Sequence, residues 1–86
     1  MSESNHPTGR QIAAARVLAG LSQADLATNA KVSVPTLRRM EASDGPATGM
    51  ANNVDAVRRA LETAGVIFID ENGDGPGVRL RKDGAA

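Results

Sequence analysis

A mostly α domain of four short helices, finished by a C-terminal β-hairpin, is the fold class this 86-residue chain predicts. Three observations lead there. Hydroxyl residues that can cap a helix recur at Thr8, Ser22 and Ser33, the first two followed three positions later by Gln11 and Asp25. Apolar residues repeat at helical spacing in the segments that follow the caps. After Gly65 the texture changes to a β-branched run, a stretch dense in turn residues, and an apolar/basic alternation.

The elements follow in order. Residues 1–7 are short and polar and read as a disordered tail. Thr8 with Gln11 opens a first helix that runs to Ala19, with Gly20 as its C′ residue. Ile12, Ala15 and Ala19 share one face of it. Ser22 with Asp25 opens the second helix. Ser33 opens a third, with Pro35 in the first turn, where the missing N–H costs nothing. Ala42 to about Ala51 contains Asp44-Gly45-Pro46 and Gly49 and reads as a loop. Asn52 or Asn53 can cap a fourth helix through Ala64, whose Val54, Val57, Leu61 and Ala64 form one apolar stripe. Asp55–Arg59 and Arg58–Glu62 are i, i+4 pairs expected on its exposed side. Val66–Ile69 and Gly77–Arg81 flank Asp70-Glu71-Asn72-Gly73-Asp74-Gly75-Pro76 and complete the hairpin. Residues 83–86 are a second tail.

Composition bounds the function. The chain has room for one small core. Its formal net charge is zero and its isoelectric point is about 6.6, so overall charge does not mark a nucleic-acid binder. The distribution is uneven, however. Residues 8–41 carry five cations against two carboxylates, a balance of +3, whereas 66–86 carry three against four. A modest basic face implies few phosphate contacts per subunit and favours a dimer. Cysteine is absent, which removes disulfides and thiolate metal sites. No hydrophobic run reaches membrane-spanning length and no leader is evident, so a cytoplasmic protein without membrane contact is expected. Phe68 is the single aromatic residue, which leaves no platform for stacking bases.

The most informative stretch is Leu21–Glu41, two short helices with a tight turn between them. Leu26, Ala27, Ala30, Val32, Leu37 and Met40 face inward when threaded onto helix–turn–helix geometry. Ala27 is small where crossing helices approach, and Val32 plugs the turn. Thr36, Arg38 and Arg39 remain on the outside as a polar, cationic ridge suited to a DNA major groove. This pattern resembles the Xre/Cro/C1-type, phage-repressor-like helix–turn–helix regulators from about Thr8 to Glu41, and more loosely to Ala64. The resemblance implies that Gln23 touches the DNA backbone and braces the recognition helix. It also implies that Arg16 and Glu41 form a partly buried salt bridge. The family usually has Gly at the turn position held here by Lys31, and a positive φ there costs roughly 1 kcal/mol.

The expected function is therefore a sequence-specific DNA-binding transcriptional regulator. By family resemblance it represses its own promoter. It would bind a palindromic operator in double-stranded DNA as a homodimer, with the helix at about 34–41 in the major groove. Arg38 and Arg39 would contact bases or phosphates, Val34 and Thr36 a thymine methyl, and Gln23 and Ser33 phosphate. Arg10 and Lys31 read as solvated charges. The rival reading is a protein-interaction module, an antiactivator or antitoxin that binds a transcriptional activator or a toxin. A lone hairpin is marginal in water, so it must pack on the fourth helix, pair with a second copy or meet another protein; dimerisation is preferred over packing on the helices, which puts Val66, Phe68, Val78 and Leu80 at a dimer or partner interface. Asp70–Gly75 matches the opening of an EF-hand loop, but the position for its closing Glu is Arg81 and the flanks read as strands, so calcium is not expected. The only histidine, His6, sits in the tail, and nothing pairs the remaining polar groups for catalysis. Neither enzyme activity nor a cofactor is expected.

Overall fold

The computed structural model describes residues 6–82. Its elements are α1 (Gly9–Ala19), α2 (Gln23–Ala30), α3 (Val34–Glu41), α4 (Ala51–Thr63), β1 (Val66–Ile69) and β2 (Gly77–Leu80). Among the described residues no helix is long and apolar enough to cross a membrane.

The local signals act as their chemistry requires. The Thr8 hydroxyl accepts the Gln11 N–H at 3.0 Å, and the Gln11 side chain accepts the Thr8 N–H at 2.8 Å, which closes a reciprocal capping box. Ser22 and Asp25 do the same for α2. Gly20 takes the left-handed conformation that ends α1, with φ of 75°. The start of α4 differs from the sequence expectation. Its N-cap is Met50, with no side-chain bond, rather than Asn52 or Asn53. Gly49, at φ of 130°, breaks the chain just before, and the Met50 carbonyl accepts from Asn53 and Val54. Backbone geometry thus sets this helix start ahead of either amide side chain.

The helices and the hairpin share one core. Ile12, Leu26, Leu37, Met40, Val57 and Leu61 have no exposed surface, and Val54 is almost as completely covered. Val66 and Phe68 belong to the same cluster, with Val78 packed against it. This corrects the expectation that Val66 and Phe68 lie on a dimer or partner interface. The strands pair antiparallel with Val66 opposite Leu80 and Phe68 opposite Val78, so these residues share the face that closes over α1 and α4. Leu80, farther out on that face, stays 39% exposed. The face turned away carries Ile67, opposite Arg79.

Two further expectations are corrected. Arg58 does not lie on an exposed face. It bonds Glu62 at 3.1 Å, its side chain is only 16% exposed, and its guanidinium stacks 4.8 Å from the Phe68 ring centroid. Residues 6 and 7 are not loose tail. Pro7 is buried and accepts the Ala47 N–H, while His6 Nε2 lies 3.1 Å from the Ala47 carbonyl oxygen. Residues 1–5 and 83–86, expected as tails, lie outside the described residues.

One buried polar side chain joins the hairpin to the helices. Gln11 caps α1 through its amide oxygen and donates its amide nitrogen to the carbonyls of both Ile69 and Gly77, at 3.1 and 3.0 Å. Those residues face each other at the turn end of the ladder. The intervening acidic loop folds on its own carboxylate: Glu71 accepts the N–H groups of Gly73 and Gly75.

Candidate nucleic-acid interface

Helix α3 owes its placement to local chemistry at its start and to packing along its length. The Ser33 hydroxyl accepts the Thr36 N–H at 3.1 Å and donates to the Thr36 hydroxyl at 2.8 Å. Pro35 stands in the first turn. Leu37 and Met40 are fully buried, which fixes the rotation of the helix about its axis. Pro35, Arg38, Arg39 and Ala42 are left exposed at i, i+3, i+4 and i+7, one continuous outward stripe. Thr36 is half-buried beside it. Val34 is half-buried and packs against the core, so much of its surface is committed inward.

The far end of α3 is clamped. Arg16 on α1 donates Nε to Glu41 Oε2 at 2.7 Å and Nη2 to Oε1 at 3.1 Å, a bidentate pair whose side chains are 19% and 8% exposed. Arg16 also donates to the Leu21 carbonyl at 3.1 Å. Gln23, the first residue of α2, donates to the same Glu41 carboxylate at 3.1 Å. Three helices therefore converge on one carboxylate, and Gln23 stands between the scaffold and the end of α3. The pair and the brace implied by resemblance are both present in the geometry.

Charge is then sorted by position. Arg16 is spent on Glu41. Arg10 pairs with Asp44 at 3.2 Å, with both side chains largely in solvent, where such a pair contributes little. Arg38, Arg39 and Lys31 are exposed and form no ion pair with another described residue. Lys31 ends α2 in the left-handed conformation, at φ of 60°, the only described non-glycine residue with positive φ. The expected strain at this turn is thus present.

Two features of the site, resting on three residues, were not singled out from sequence. Ser43 and Thr48 donate their hydroxyls to the Arg39 carbonyl at 3.1 and 3.3 Å, and the Thr48 N–H bonds the Ser43 hydroxyl at 3.0 Å. They satisfy the open end of α3 and tie the following loop to it. Gly9 is the other: a side chain there would meet the carbonyls of Met40 and Ser43, so glycine lets α1 begin hard against the end of α3. Hydroxyls flanking Asp-Gly-Pro were a usable signal for the first, whereas the second depends on contacts distant in the chain.

Residues 12–51 match the family model described as Helix-turn-helix. The match spans most of α1, all of α2 and α3, and the loop up to the first residue of α4. This segment is a DNA-binding helix–turn–helix domain, and its type is that of the Xre/Cro/C1 regulators. No curated protein matches the chain.

Proposed function

We propose that this protein is a sequence-specific transcriptional repressor that binds a palindromic operator as a homodimer and represses its own gene. Helix α3 enters the major groove, and the two half-sites lie about one DNA turn apart, roughly 34 Å. The observation that carries the reading is the outward stripe of α3. It presents Arg38 and Arg39 unpaired, on a helix held at its start by Ser33 and at its end by Arg16, Glu41 and Gln23. A rigid rod with free guanidinium groups can read guanine edges or hold phosphates without prior rearrangement. Gln23 and Ser33 supply polar groups beside it, both partly engaged in bracing α3. The test is a salt-titrated binding assay on the DNA upstream of the protein's own gene, against a scrambled duplex. Arg38→Ala with Arg39→Ala should abolish selectivity and flatten the salt slope by up to about 2, roughly 0.9 for each phosphate no longer neutralised. Unchanged binding by the double variant would remove α3 from the interface.

A second reading is favoured by one observation. Val17 and Leu18 are adjacent on α1 and 67% and 45% exposed, an apolar pair outside the recognition stripe. An antiactivator or antitoxin would use such a surface to bind a transcriptional activator or a toxin. Equal, weak binding to both duplexes, with a partner captured by the wild type and not by Leu18→Lys, would favour it.

A further inference from the structure

The hairpin has two strand edges, and they differ in access. Arg81 donates its N–H to the Gly65 carbonyl at 2.8 Å, so the pairs 65/81, 67/79 and 69/77 are the hydrogen-bonded rungs. The outward backbone groups of β1 belong to Val66 and Phe68, which are buried together with Gly65. Those of β2 belong to Val78 and Leu80, and they bond no other described residue. This second edge is open. Pro76, Arg79, Leu80 and Arg81 are exposed, and Val78 is partly so. A cleft of about 380 Å³ runs beside it, with Arg10, Gln11 and Ala14 of α1 on one wall and Pro76, Gly77 and Val78 on the other. An open strand edge of this kind is a template for another strand. Beneath it, α1 turns an apolar face outward. Gln11 bonds Gly77 and Ala14 shares the cleft with Val78, so helix and strand run side by side in the same direction. Ala14, Val17 and Leu18 stand on that helix at i, i+3 and i+4, and all three are exposed.

We propose that a second copy of this chain pairs with the outer edge of β2, antiparallel about a two-fold axis at Val78, to form a four-stranded sheet over a pair of α1 helices. The proposal rests on the homodimer reading above and assigns its interface. In that register Val78 of each copy exchanges backbone bonds with Val78 of the other, and each Leu80 N–H reaches the opposite Pro76 carbonyl. Pro76 has no N–H to give, which suits an edge position. Charge selects the register. An axis at Arg79 sets Arg79 against Arg79, and an axis at Leu80 sets Arg79 against Arg81, both unfavourable. The axis at Val78 sets Arg79 against Gly77. It also carries Arg79, Arg81 and Lys82 of each copy toward Asp70, Glu71 and Asp74 in the turn of the other, residues that are all exposed. The same axis lays α1 beside α1, with Ala14 small at the closest approach. Val17 and Leu18 are then covered by the second copy, and not by the different protein of the second reading. Helix α3 packs on α1 and α2, whereas the hairpin packs on α1 and α4. A dimer made on the sheet side thus leaves the outward stripe of α3 free in both copies.

The chain contains no cysteine, which permits a register-specific test. Gly77 of one copy and Arg79 of the other form a non-hydrogen-bonded rung, with Cα atoms about 4.5 Å apart, within disulfide range. A side chain at Gly77 meets only ordinary contacts with Ile69. Gly77→Cys and Arg79→Cys, mixed and mildly oxidised, should form a mixed disulfide, and neither variant should cross-link alone. Val17→Lys, at an exposed position, should sediment as a monomer with the thermal stability of the wild type, and raised salt should weaken the wild-type dimer. Cross-linking by Arg79→Cys alone, no cross-linking in the mixture, or dimeric Val17→Lys would each overturn the proposal. Sedimentation is read without DNA, so a monomeric wild type would sink this interface and leave the DNA contact of α3 to its own assay.

Discussion

Glu41→Gln isolates the charge that anchors the recognition helix. The substitution keeps the volume and one acceptor but removes the carboxylate that takes two bonds from Arg16 and one from Gln23. The Arg16 guanidinium is then left with the Leu21 carbonyl and a neutral amide at a site only 19% exposed. Breaking one side of a buried pair costs about 3–5 kcal/mol. Water still reaches part of Arg16, so the lower end applies, about 3 kcal/mol. For a domain of this size that corresponds to a fall in Tm of roughly 12–24 °C. Urea unfolding of wild type and variant, with the slope confirmed to be shared, measures it. The double change Arg16→Met with Glu41→Leu removes both charges and should recover to within about 1 kcal/mol of wild type. A Glu41→Gln stability within about 0.5 kcal/mol of wild type would refute the reasoning, as would a double variant worse than the single one.

Three other substitutions test separate links. Lys31→Gly removes left-handed strain at the end of α2 and should raise stability by about 1 kcal/mol, read from the urea midpoint. Gly9→Ala drives a methyl group into the Met40 and Ser43 carbonyls and should destabilise by about 2 kcal/mol or more in thermal melts. Gln11→Leu strips one cap acceptor and two donated bonds and should cost about 2 kcal/mol, with faster amide exchange across the hairpin than across α3.

Legibility in the sequence follows the range of the interactions. Thr8–Gln11, Ser22–Asp25 and Ser33–Thr36 act over three residues, and each behaves as its spacing suggests. The ridge of α3 is readable because Leu37 and Met40 determine which side is buried. Arg16–Glu41 spans 25 positions and is reached only through resemblance. The failures are long-range too. Sequence shows that the apolar face of Val66 and Phe68 must be covered but not by what, and only the packing of α1 and α4 beneath the hairpin decides between the helices and a second chain. Arg58 resembles a helix-surface residue until Phe68 supplies its aromatic neighbour. One failure is local: at α4, Asn52 and Asn53 have the right chemistry for a cap, but Gly49 and Met50 set the helix start by backbone geometry.

The bond pattern of Gln11 also bears on how deletions of this chain should be interpreted. The family-matched segment stops at residue 51, and sequence alone would suggest a cut near Gly65 to obtain a minimal DNA-binding unit. That cut removes Phe68 and Val66 from the core cluster and takes away the carbonyls of Ile69 and Gly77 that accept the Gln11 amide. The donor left behind belongs to Gln11, which closes the capping box of α1, the helix against which α3 is held. A shortened chain that fails to bind DNA would thus report a scaffold that no longer assembles, and would locate no contact to the operator in the deleted strands.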